Sequence, residues 1–387
     1  MKRSRSILAL AVVASVAFVA CSTPGASTAP SASSAPASAA PSAGAASEAP
    51  GELTPVSLQL QWAPQAQFGG YFAAKEQGYF EAAGLDVTIL DGGPTVVPQQ
   101  VGSAPDGPEF TISWVPKVLE AREAGSDLVN IAQIFQRSGT LSVSWKESNI
   151  TSPADFAGKK IGVWDFGNEY EVTAGAKKAG LEQGTDYEKV IQPFDMTLLL
   201  SKQIDVAEAM IYNEYAQVLE ATNPETGELY QPTDLNVINW NDEGTAMLQD
   251  AIFARAAWLA EGDNEAIATS FLSASFQGWI YCRDNPADCI EYTVNAGSQL
   301  PAGHQAWMMN EINPLIWPSP AGIGIMDQAQ WQQTVDVSLD AGIIKAAPPA
   351  DAYRTDLAEA ALSELGDADT KGASFVKGTV EVTPGGN

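Results

Sequence analysis

Four short stretches of this chain carry side chains able to grip a flat, polar ring. The first holds Trp62, Gln65, Gln67, Phe68 and Tyr71 within ten residues. An aromatic face stacks on a heterocycle for about 1 kcal/mol beyond the area it buries, and a glutamine amide both donates and accepts. Trp114 stands alone behind an apolar run. Trp164, Phe166, Gly167, Asn168 and Glu169 form a third group, where Gly167 permits close backbone approach. The fourth is Tyr212-Asn213-Glu214: Asn213 offers both hydrogen-bond polarities, and an ionised Glu214 accepts two N–H bonds strongly. A site that pairs with a ring edge rejects analogues, because each unpaired buried group costs about 1–3 kcal/mol. Every one of these residues also has a plainer reading. The aromatics suit a core, the glutamines a solvated loop, and Glu214 the first turn of a helix, where an acid complements the dipole.

Catalysis is harder to assemble. The chain has one histidine, His304, and no Ser-His-Asp set, Walker loop or metal-ligand spacing, so neither cofactor nor metal is expected. Cys282 and Cys289 bracket Arg-Asp-Asn-Pro-Ala-Asp. In an exported protein that spacing reads as a local disulfide, with no histidine nearby to complete a metal site.

The elements that must hold these groups read as repeated β-α-β units. Val56, Leu58 and Leu60 alternate with polar residues, as in a half-buried strand, and Pro64 ends the ladder. Gly69-Gly70 reads as a tight turn before a helix over residues 71–77. Gly78 and Gly84 stand where helices end in the left-handed region. Parallel strands joined by helices make open α/β sheets, whose ligands sit at the carboxyl ends of the strands. Trp62, Trp114, Trp164 and Tyr212 each follow a strand, so the four groups belong to such ends. The helix starting after Glu169 presents free N–H groups that suit an anion or a carbonyl.

At 387 residues the chain has room for two α/β lobes. A net charge of −27 and a pI near 4.2 exclude nucleic acid and docking on anionic lipid, since nothing would neutralise phosphates. Lys2, Arg3 and Arg5 precede an apolar run over residues 7–20, the form of a signal peptide and short for a membrane span. It ends Phe18-Val19-Ala20-Cys21, which resembles a bacterial lipobox. Cys21 would then be lipidated and become the mature N-terminus. Phe18 replaces the usual leucine, so ordinary secretion stays open. Residues 22–51 are almost all Ser, Ala, Pro, Gly and Thr, a composition unable to bury a core and expected to be a disordered tether.

In this order the chain resembles the periplasmic binding proteins for thiamine-pyrimidine precursors and their relative, the fungal pyrimidine-precursor synthase. The matching pieces are LQWAPQAQFGGYFAAKEQGYFEAAGLDVTIL, PADFAGKKIGVWDFGNEYEV and QIDVAEAMIYNEYAQVLE. Sulfonate and nitrate binders share the core of the first piece, and a riboflavin-binding branch is also similar. The resemblance implies an α/β protein of two lobes, each a mainly parallel sheet flanked by helices, with the ligand trapped in the cleft by hinge closure. It implies a monomer that hands a heteroaromatic ligand to an ABC permease driven by an ATPase, held at the outer face of the membrane by its lipid alone. The stacking wall would come from Trp62, Phe68 and Tyr71, and the ring edge would be read by Tyr212–Glu214 and the loop from Trp164 to Glu169. The synthase alternative lacks its residues: its histidine aligns near Lys117, and its cysteine cluster would fall at residues 246–254, where this chain has none. The expected divisions are a signal peptide at 1–21, a tether at 22–51, the first lobe at 52–145 and 246–369, the second at 146–245, and a flexible tail at 370–387.

Overall fold

The computed structural model describes residues 52–387. The expectations for the signal peptide, Cys21 and the tether fall outside the described residues.

Ten strands form two five-stranded sheets. The first sheet contains β1 (Thr54–Gln59), β2 (Leu85–Leu90), β3 (Phe110–Ser113), β4 (Leu128–Gln133) and, returning much later, β10 (Ala251–Arg255). Its order is β2-β1-β3-β10-β4. The second contains β5 (Thr140–Trp145), β6 (Lys160–Val163), β7 (Glu188–Ile191), β8 (Val206–Met210) and β9 (Leu235–Asn239), in the order β7-β6-β8-β5-β9. In each sheet four strands run one way and one runs against them. The reversed strands are β10, antiparallel to β3 and β4, and β5, antiparallel to β8 and β9. These are the strands through which the chain enters one sheet from the other, so the reversal follows from the crossover. Residues 140–145, expected in the first lobe, therefore form an inner strand of the second sheet, and the boundary lies near residues 134–139.

Two connections join the sheets, residues 134–139 and the segment ahead of Ala251, and they are stitched together. Phe135 N donates to Asp250 O at 3.0 Å. Gly139 N donates to the Gln249 side-chain carbonyl at 2.8 Å. Glu171, at the start of the helix Tyr170–Lys178, accepts from Ser138 Oγ at 2.7 Å, Met247 N at 3.0 Å and Gln249 Nε2 at 3.3 Å. No cation offsets this carboxyl, and burial pushes it up to about 8.

The first half's core is aromatic: Phe110 stacks on Phe271 at 3.9 Å between centroids, and Phe271 on Phe80 at 5.3 Å. Gly69 and Gly70 are not a turn but the first residues of the helix Gly69–Glu76. A Cβ on Gly70 would lie 2.2 Å from the Trp279 ring, and one on Gly278 would lie 2.0 Å from Gly70 O. The glycines are a notch that lets this helix seat against the long helix Asn264–Asp284. Gly78 and Gly84 do adopt left-handed φ, 71° and 79°. Cys282 and Cys289 are disulfide-bonded, with Cα atoms 5.5 Å apart. Residues 370–387, expected as a loose tail, instead pack on the body: Ile323 N donates to Thr370 O, and Gly385 N to Glu220 O. Gly386 is buried. No helix among the described residues is long and apolar enough to cross a membrane.

Candidate ligand-binding site

The loops after β1, β3, β6 and β8 converge on one cavity of about 220 Å³. That is where open α/β sheets place ligands. Trp62, Gln67, Trp114, Trp164, Phe166, Asn168, Tyr212, Asn213 and Glu214 all line it, as does Gln65. Phe68 and Tyr71 do not. Both are fully buried in the first half's core, and Tyr71 meets Trp279 edge-on at 5.7 Å. The tight turn Ala66–Phe68 runs straight into the helix Gly69–Glu76, so Phe68 closes the turn and Tyr71 sits in the first turn of the helix, both buried. Gly167 and Glu169 also stand back from the cavity wall and shape its loop instead. The Glu169 carboxylate accepts Gly167 N at 3.0 Å and pairs with Lys189 at 3.1 Å. The loop's own acid thus takes up one of the loop's backbone N–H groups ahead of the helix. Phe166, at φ 65° and 69% exposed, stands at the rim. A left-handed bulky residue stores strain that a packed surrounding must hold.

Several lining residues were not anticipated from the sequence: Gln61, Gln99, Lys117, Phe194, Met210 and the loop from Gly93 to Val97. Phe194 follows β7, so the same end-of-strand rule finds it. Its ring lies 4.2 Å from that of Trp62 and stacks on Trp164 at 6.1 Å, giving an aromatic run across the cleft. The halves also touch where Lys117 Nζ donates to Asn168 Oδ1 at 2.7 Å and Tyr170 Oη to Glu120 at 2.5 Å.

Behind the wall, Asp250 organises the first half's contribution. Its Oδ1 accepts Gln61 Nε2 at 2.9 Å and Trp114 Nε1 at 2.7 Å, and its Oδ2 accepts Gln67 Nε2 at 2.7 Å. Gln67 Oε1 in turn accepts Gln65 Nε2 at 2.6 Å. Gln67 is therefore engaged at both ends, and three donors of this wall meet on one carboxylate. Gln61 Oε1 and Gln99 Oε1 are buried without a partner. Burial pushes Asp250 up to about 6, against the pull of its donors and of Lys117. Lys117 lies 4.3 Å from the centroid of the Trp114 ring. Burial lowers it to about 8, opposed first by Asp250 and then by Glu208 and Glu169.

The second half contributes Tyr212-Asn213-Glu214 from the end of β8 into the helix Glu214–Leu219. Glu214 accepts Met210 N and Asn213 Nδ2, each at 3.0 Å, and burial pushes it up to about 7. Asn213 Oδ1, expected to be available to a ligand, lies 3.0 Å from His304 Nε2 and accepts Gln217 Nε2 at 3.1 Å. His304, the chain's one histidine, thus reaches this motif. It stands directly behind Asn213, buried and off the cavity wall.

A family described as NMT1/THI5 like matches residues 65–289. The chain belongs to that family. This NMT1/THI5-like protein is 25% identical over 304 residues to the riboflavin-binding protein RibY of Chloroflexus aurantiacus, covering 76% of this chain and 83% of that one. It is 24% identical over 242 residues to the formylaminopyrimidine-binding protein of Halalkalibacterium halodurans, covering 62% and 69%. Among solved structures, the periplasmic aliphatic sulphonate-binding protein SsuA of Escherichia coli has the same fold, with a TM-score of 0.56 at 15% identity over 76% of this chain and 89% of that one. So does the desulfurization enzyme DSZB, with a TM-score of 0.54 at 14% identity over 80% and 99%. These relatives are chiefly binding proteins, and the fold also houses an enzyme.

Proposed function

We propose that this NMT1/THI5-like protein is the extracytoplasmic solute-binding component of an ABC importer and captures a flat heteroaromatic vitamin precursor, a thiamine pyrimidine precursor of the formylaminopyrimidine kind. The observation that carries this reading is the cavity's polarity. Aromatic rings flank it, three donors of its first wall are turned back onto Asp250, and the Glu214 carboxyl lines it from the second. An aminopyrimidine edge supplies N–H groups to Glu214 and the glutamine carbonyls. The sulfonate or nitrate alternative is disfavoured by the same wall. Among the described residues lining it, Lys117 is the one cation, bound to Asn168 and with Asp250, Glu208 and Glu169 near it, so an oxyanion would meet net repulsion. A cavity of about 220 Å³ lies below the range of roughly 300–1,000 Å³ usual for drug-sized ligands, which favours one ring over a flavin with its ribityl chain. Riboflavin remains the second reading, favoured by the longer match to RibY and by the run Trp62–Phe194–Trp164.

Binding without chemistry is part of the proposal. By the resemblance the synthase histidine aligns near Lys117, and the cysteines among the described residues are both in the disulfide. On this reading the two sheets are hinged lobes, a monomer is held to the outer face of the membrane through Cys21, and the permease with its ATPase receives the ligand. Thermal-shift measurements with formylaminopyrimidine, riboflavin and an alkanesulfonate test it. At a hundredfold excess over Kd the true ligand adds about 2.7 kcal/mol of stability. A yellow, flavin-like spectrum of the purified protein would displace the pyrimidine in favour of riboflavin, and stabilisation by the sulfonate alone would overturn both.

A further inference from the structure

We infer that His304 is a positioning residue that fixes which hydrogen-bond polarity Asn213 and Glu214 present to the ligand. The inference rests on the cavity being the ligand site, and it concerns a side chain that does not touch the cavity.

The wiring follows from what each neighbour is able to do. In its ionised form the Glu214 carboxylate accepts only, and the Asn213 group 3.0 Å from its Oε1 is then the amide nitrogen. That orientation turns Asn213 Oδ1 toward His304 Nε2 at 3.0 Å, and the Gln217 amide, 3.1 Å away, donates to the same oxygen. His304 Nε2 must therefore donate. On the other side of the ring, Nδ1 lies 2.9 Å from both carboxylate oxygens of Glu220, so it must donate as well. A ring that donates from both nitrogens is the imidazolium. Gly386 backs onto the His304 Cβ, and Gly385 N donates to Glu220 O.

The consequence reaches the ligand. With Oδ1 occupied, Asn213 has only its second amide N–H to offer, beside the acceptor oxygens of Glu214. The pair is thus set as one donor next to one anion, a fixed pattern rather than an adaptable one. A neutral ring with its Nε2 lone pair toward Asn213 would favour the flipped amide, which aims Oδ1 at Glu214 and reverses the pattern. His304 lies on the helix Ala302–Ile316, which packs against the turn Ala66–Phe68 of the first half, whereas Asn213 and Glu220 belong to the second. The contact therefore also ties the reader to the opposite half.

One observation makes the test clean: His304 is the only histidine in the chain. In full-length protein carrying no histidine tag, nitrogen-15 histidine labelling yields the signals of this ring alone. At neutral pH both ring nitrogens are expected to be protonated, and saturation with formylaminopyrimidine, or with riboflavin if that is what the protein takes, is expected to shift them. A neutral ring in the NMR spectrum overturns the wiring. His304→Leu, which removes both donors, is expected to raise Kd about tenfold or more, and His304→Gln, which keeps one donor, to recover most of that loss. If the Leu variant binds as the wild type does, or the Gln variant binds no better than the Leu variant, His304 only fills space. If the wild type binds neither probe, the ligand reading fails while the NMR experiment still decides the state of the ring.

Discussion

Replacing Asp250 with asparagine separates binding from stability. The carboxylate accepts from Gln61, Gln67 and Trp114 at 2.7–2.9 Å. An amide at this position has one acceptor atom and one donor group. The indole of Trp114 only donates, so the asparagine oxygen must face Trp114 and Gln61. Its NH2 then meets Gln67 Nε2. Gln67 cannot turn without taking its own oxygen from Gln65. At least one hydrogen bond to a charged group is lost, worth about 1.5–3 kcal/mol, which becomes a 10- to 150-fold rise in Kd if it is felt at the wall.

Stability moves differently. Burial displaces Asp250 from 3.8 to about 6. A carboxyl raised on folding contributes stability that is complete below its unfolded value and is lost as pH rises through the folded one. Above pH 6 the ionised group therefore costs about 3 kcal/mol relative to the unfolded chain, and asparagine removes that cost. That cost is already net of the bonds from Gln67 and Trp114, so at pH 7.5 Tm should not fall while Kd rises. Calorimetric titration with the ligand the wild type accepts, together with a thermal melt of the apo-protein, reads both quantities. A variant that binds within twofold of the wild type would refute the role assigned to Asp250.

The other expectations are narrower. Phe194→Ala removes the ring bridging Trp62 and Trp164, and because Phe194 is 42% exposed, stability should fall by about 1 kcal/mol or less while ligand dissociation quickens about five- to tenfold, measured by stopped-flow fluorescence. Phe68→Ala should instead cost about 3–5 kcal/mol in a denaturant melt, as expected of a core ring; a loss of affinity at unchanged stability would return Phe68 to the ligand wall. Glu171, pushed up to about 8 between the two connections, makes folding less favourable as pH climbs from about 5 to 9, by the same sign as Asp250. In Glu171→Gln the dependence of Tm on pH over that interval should flatten, and an unchanged slope would remove Glu171 as its source.

Sequence patterning was enough for the α/β class, the repeated β-α-β order and the end-of-strand rule that places Trp62, Trp114, Trp164 and Tyr212 at one cleft. These are local properties: alternation fixes a strand, a helix joins parallel neighbours, and a loop after a strand opens at a known edge. The membership of β5 and β10 in their sheets was not local, because each pairs with strands far away in the chain. Nor was the fate of Phe68 and Tyr71. The glycine pair beside them looks like a turn until Trp279 is seen filling the space their missing Cβ atoms leave, more than two hundred residues later. The cavity's polarity was least legible of all. Asp250 gathers donors from 136 to 189 positions upstream, and His304 reaches back 91 to Asn213. The aromatic and amide types around the opening tryptophan were written in the chain. Which amide ends face the ligand was decided only when burial brought the carboxylates and the histidine up behind them.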